Sequence, residues 1–160
     1  MEKYNWSLEK IYKNVDEARA EIKLCDEFIE KIVKEEKSVK NLKNIMELSE
    51  KANRLMEKLY TYSYMKRDED SRVPESQKLA LEVNSLGTRL GSAMAFFDSF
   101  LMNLSDEELE NFYKEGDNEK YRVHFENILR FKPHTLSADE EKLLQIVVKW
   151  RGQVKIHSIC

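Results

Sequence analysis

Apolar residues recur along this chain in steps of three and four. Val15, Ala18, Ile22, Cys25, Ile29 and Ile32 form a single stripe, widened by Phe28 and Val33. The pattern predicts a first long helix from about Asp16 to Glu36, with Asn14 or Asp16 as its cap. A second helix is expected from about Val39 to Lys66, through Leu42, Ile45, Met46, Ala52, Met56, Leu59, Tyr62 and Met65. Its spacing near 3.5 suits coiled-coil-like packing on the first. Pro74 stands where a third helix begins, since a missing N–H costs nothing there. The stripe Leu79, Val83, Leu86, Leu90, Phe97 and Leu101 carries that helix to about Met102.

Shorter helices follow. Ser105-Asp106-Glu107-Glu108 has capping-box form and opens a helix to about Tyr113, which Gly116 can end. Glu119 to Phe131 reads as another, stopped by Pro133. A second capping-box form at Ser137 opens a last helix through Leu143, Leu144 and Val147. Val154 to Ile159 is apolar enough for a short strand. No other segment alternates with a period of two. The expected fold is all-α: an antiparallel bundle or array of about six helices, the first three long. Ser7 is expected to cap a short N-terminal turn, in an arm that docks Trp6 and Tyr12 onto the body.

Composition narrows the function. At 160 residues the chain fits one domain, able to bury roughly 68–70% of its unfolded surface. Net charge is −3 with the signs interleaved, so no basic face offers itself to nucleic acid. The lysine-rich run from Lys31 to Lys43 is interrupted by Glu35 and Glu36 and reads as a solvated helix end. No stretch approaches the ~18 apolar residues of a membrane span. Cys25 and Cys160 form no C-x-x-C pair, and Cys25 on an apolar face reads as a buried reduced thiol, which agrees with a cytoplasmic location. The three histidines are His124, His134 and His157, and none opens an H-E-x-x-H run.

Several residues invite a functional reading beside a structural one. Tyr60, Tyr62 and Tyr64 offer apolar area with polar tips, suited to a peptide-binding wall or to interhelical packing. At alternate helical positions they point in different directions, so at least one is expected in the core and one outside. His134 could touch substrate or a metal. It could equally complete the turn after Pro133 and bond a helix-end carbonyl, which the lack of a nearby second His or Cys favours. Asp68, Glu69 and Asp70 lack the glycine of a calcium loop; capping of the next helix and pairing with Arg72 are expected instead. Gly87 and Gly91, four apart, each cost ~1 kcal/mol in a helix, which close approach of a neighbouring helix or chain would offset.

Three local patterns occur in order: Trp6-Ser7-Leu8 with Ile11-Tyr12; Leu59 to Ser63 leading to Asp68-Glu69-Asp70-Ser71-Arg72; and Lys132-Pro133-His134-Thr135-Leu136-Ser137 followed by Glu140 to Leu144. Together they resemble the N-terminal domain of oligoendopeptidase F, a relative of the thimet-type oligopeptidases. The resemblance covers Trp6 to about Leu144. It implies a helical lobe that helps enclose a substrate channel, with Tyr60, Tyr64 and His134 as channel candidates. Zinc in the full-length family belongs to a separate catalytic domain bearing H-E-x-x-H, so no catalytic residue and no metal ligand is expected in this chain. The implied partners are that domain, in cis or trans, and the oligopeptide substrate.

After Leu144 the likeness fades. Residues 1–148 are assigned to the helical domain and 149–160 to a divergent tail. The expectation is a truncated or frame-disrupted product, or a fragment. A lobe without its counterpart leaves apolar surface uncovered and self-associates. The alternative is a free-standing helical interaction module, monodisperse or a defined dimer, whose first two helices dock a partner helix.

Overall fold

The computed structural model describes residues 6–134, of residue 134 the backbone alone, together with Leu143, Ile146 and Val147. Among the described residues all regular structure is helical. A 3-10 turn, Leu8–Lys10, precedes α1 (Val15–Lys34), α2 (Val39–Glu69), α3 (Pro74–Met94), α4 (Phe97–Met102) and α5 (Asp106–Lys114). A second 3-10 turn, Asn118–Tyr121, leads into α6 (Arg122–Leu129), and a third, Lys132–His134, follows.

α1 starts at Asn14, which is extended and accepts the Glu17 N–H on its side-chain oxygen at 2.9 Å. Asp16 and Glu17 meet the positive end of the helix, Lys31 and Lys34 the negative end. The Lys37 ammonium donates to the carbonyls of Ile32 and Val33, which the helix leaves without intrahelical partners. The connections to α2 and to α3 are each four residues long, which makes successive helices antiparallel. Helices α1, α2 and α3 touch one another pairwise around a core that includes Cys25, Ile29, Ile32, Ala52, Leu59, Leu79 and Val83.

α2 has 31 residues, so it is about 46 Å long. Its length carries it past two cores. Ile45, Leu48, Ala52, Met56, Leu59 and Tyr62 belong to the three-helix core, whereas Leu42 and Met46 belong to a second one. That second core is rich in aromatics: Phe97, Phe112, Tyr113, Tyr121 and Phe125 close over α2 from α4, α5, the second 3-10 turn and α6. Phe125 lies at its centre, with Phe112 stacked at 5.6 Å between centroids and Phe97 edge-on at 5.7 Å. Ser105 forms the expected capping box with Glu108, and Gly116 leaves α5 at a φ of +59°. Buried Asn118 donates its amide to the Phe112 carbonyl at 3.0 Å, tying the following turn to α5.

The third helix differs from its expected span. It ends at Met94 instead of Met102, and α4 is separate. Ala95 and Phe96 keep right-handed dihedrals with ψ flattened to −23° and −21°, and the Ala95 N–H bonds to Ser92 three residues back. The tightened turn redirects the chain. Leu90 lies in the first core and Phe97 and Leu101 in the second, while Met94 packs against both. The N-terminal arm also departs from expectation. Tyr12 is buried, but Trp6 is half exposed and is held through its backbone N–H, which donates to Glu69 at 3.0 Å. Ser7 precedes the turn without a side-chain cap bond. The helix expected from Ser137 lies outside the described residues except at Leu143, Ile146 and Val147, which are helical and exposed. The expected strand at 154–159 lies wholly outside them.

Candidate functional site

Helical geometry separates the three tyrosines of α2. Tyr62 turns into the three-helix core, 3% exposed, and meets the Tyr12 ring edge-on at 5.1 Å. Tyr60 and Tyr64 are four residues apart and share the opposite face. Their rings stack with centroids 4.7 Å apart and planes inclined by 10°. Both hydroxyls reach across to α3. Tyr60 donates to the Asn84 side-chain oxygen at 2.7 Å and Tyr64 to the same atom at 3.0 Å, with 3.4 Å between the hydroxyls. The Arg67 guanidinium lies over the Tyr64 ring, 4.3 Å from its centroid, and is aimed there by two bonds to Asp68 at 2.9 and 2.8 Å. Tyr60 remains 41% exposed.

This stack has unequal hydroxyls. The contact between them pushes the Tyr64 phenol below its ordinary value, with the Arg67 cation adding to the effect, and pushes the Tyr60 phenol above it. Asn84 was not legible as a site residue. The available hint is its place on α3, one turn after buried Ala80 and one turn before Gly87, on the side turned to α2. A carboxamide in a row of small residues invites a polar partner on the facing helix. The cluster can present aromatic face and hydrogen-bonding groups to a ligand. It holds no pair of carboxylates and no nucleophile beside a base, the groups that proton transfer needs.

The remaining sequence candidates fall elsewhere. His134 ends the third 3-10 turn, and its side chain lies outside the described residues. Asp70 binds Arg72 through bonds of 2.9 and 3.0 Å, as expected. The cap position of α3 is occupied by Val73, without a side-chain bond, and not by a residue of this acidic run. Along the α1–α3 seam, two open clefts of about 410 and 420 Å³ share Arg89, which pairs with Asp26. Arg19 crosses the same seam to Glu75 at 3.2 Å and Glu82 at 3.4 Å. These are interhelical ties. Cys25 is buried, its thiol pushed up to about 11 chiefly by burial, and it points at the Ala52 carbonyl.

A family described as oligopeptidase F matches residues 101–148. Oligoendopeptidase F of Lactococcus lactis subsp. cremoris, in its plasmid form, is 30% identical over 149 residues, covering 89% of this chain and 25% of that protein. The chain belongs to the oligoendopeptidase F family, as a counterpart of its N-terminal domain. The group B oligopeptidase PepB of Streptococcus agalactiae is 34% identical over 108 residues, 67% of this chain and 18% of PepB. The oligopeptidase PepF of Bacillus subtilis is 28% identical over 144 residues, 87% of this chain and 22% of PepF. A crystal structure of a putative peptidase from Chlamydophila abortus superposes with a TM-score of 0.71 at 20% identity, over 89% of this chain and 25% of that one, which establishes the shared fold. The chain thus spans between about a fifth and a quarter of the length of these relatives.

Zinc serves thimet-type metallopeptidases in general. Among the described residues no group of three or more His, Cys, Asp or Glu side chains could hold a metal ion. The donor set of the described residues therefore does not fit zinc. No helix among the described residues is long and apolar enough to cross a membrane.

Proposed function

We propose that this chain serves as the substrate-enclosing lobe of an oligoendopeptidase F-type peptidase. It supplies wall to a channel in which a zinc-bearing catalytic domain, in cis or in trans, hydrolyses oligopeptides. The observation that carries this reading is the alignment of nearly the whole chain with one region of peptidases about four times its length, in sequence and in fold. Tyr60, Tyr64 and His134 are the proposed channel contacts, and the cytoplasm the proposed location, in keeping with a buried reduced Cys25. Residues 1–148 form the lobe in this proposal.

The test uses the purified chain with zinc and an internally quenched fluorogenic octapeptide. No turnover is expected from the chain alone. Chelator-sensitive turnover by it overturns the reading. In the complementary arm, the corresponding region of Bacillus subtilis PepF is exchanged for residues 1–148, and the folded chimera is expected to cleave the same peptide.

A further inference from the structure

We infer that Tyr60, Tyr64 and Asn84 form a subsite that reads the backbone of an extended oligopeptide, with Asn84 as the donor. The inference rests on the lobe reading above and adds what the site recognises. Both tyrosine hydroxyls donate to one atom, the Asn84 side-chain oxygen. With its side-chain oxygen taken by the two hydroxyls, the Asn84 carboxamide turns N–H donor capacity toward a ligand. The Tyr60 oxygen, having given its proton to Asn84, keeps acceptor capacity.

A donor and an acceptor thus stand side by side across the α2–α3 seam. A peptide unit in extended conformation offers the complement, one C=O and one N–H. The exposed Tyr60 ring beside them provides an apolar surface for a prolyl or aromatic side chain. The other end of the stack is closed by Arg67, which is already committed to Asp68 and to the Tyr64 ring. Recognition therefore falls on peptide groups and an apolar side chain, not on a ligand carboxylate. The stack itself is preorganised by two hydrogen bonds to Asn84 and by ring contact, which lowers the ordering cost of binding.

The test is calorimetric titration of the full chain with an acetylated and amidated nonapeptide containing proline and phenylalanine, so that its ends carry no charge. Asn84→Asp retains oxygen acceptors for both tyrosines and deletes the N–H donors. Tyr60→Leu deletes the ring and its oxygen. Binding is expected to weaken about three- to tenfold in Asn84→Asp, the loss of one net hydrogen bond, with thermal unfolding close to that of the parent. Tyr60→Leu is expected to weaken it at least as much. Parent-like affinity in both variants overturns the subsite, as does failure of the parent chain to bind at millimolar peptide. Either failure leaves the lobe reading to be judged by the chimera.

Discussion

The terminal methyl of Met56 on α2 lies 3.2 Å from the place a Cβ would occupy on Gly87 of α3. The expected close approach of a neighbouring helix is therefore real at Gly87. At Gly91, one turn on, an added Cβ would have nothing within 4 Å. Alanine at Gly91 is expected to raise stability by about 0.5–1 kcal/mol, the helix-interior cost of glycine. Gly87→Ala should gain less, because the flexible end of Met56 must retreat. Urea unfolding of the two single variants checks the order.

Phe125 is wholly buried and touches Phe97, Phe112, Tyr113 and Tyr121. Phe125→Ala is expected to cost about 3–5 kcal/mol through lost burial and the cavity left behind. Hydrogen exchange should show the loss of protection concentrated in residues 97–129, with α1 and α3 less affected.

Asp117 receives the Lys43 ammonium and, at 3.0 Å, that of Lys120, and these bonds hold its carboxyl well below the ordinary aspartate value of 3.8. A carboxyl depressed in the fold stabilises it above the unfolded value, and that contribution disappears as pH falls toward the folded one. Asp117→Asn should thus show a smaller drop in melting temperature than the parent between pH 5 and pH 2. Glu108 and Glu110, also depressed by Ser105 and Arg122 respectively, keep some acid sensitivity in the variant.

Burial raises the Cys25 thiol to about 11 from 9.0, with Asp26 adding to it. The folded chain keeps the thiol protonated where the unfolded chain has lost the proton, so this group lowers stability as pH rises from about 9 to about 11. Native chain treated with iodoacetamide at pH 8 is expected to leave Cys25 unmodified, while chain in urea is labelled there. Peptide mapping by mass spectrometry reads the difference.

The stripes through Ile22, Cys25 and Ile29, and through Ile45, Ala52 and Leu59, marked α1 and α2 because one-sided burial imposes a helical period. Asn14 and Ser105 were legible as caps because capping chemistry is local. The break at Ala95-Phe96 was not, since Leu90, Met94, Phe97 and Leu101 keep helical spacing straight through it. What divides them is the second core, assembled from Leu42, Phe112 and Phe125, far away along the chain. The split between Tyr62 and its outward neighbours followed from helical angles alone. Asn84 did not, because its partners sit 20 and 24 residues away on another helix.

Because α2 contributes Leu42 and Met46 to the aromatic cluster and Leu48 through Tyr62 to the bundle, one rod is common property of both halves. The cap of α4 to α6 cannot be grafted away as an independent cassette. A foreign cap would have to match Val39, Leu42, Lys43 and Met46 at one end of that rod, leaving the tyrosine end, several turns distant, free to diversify on its own evolutionary schedule.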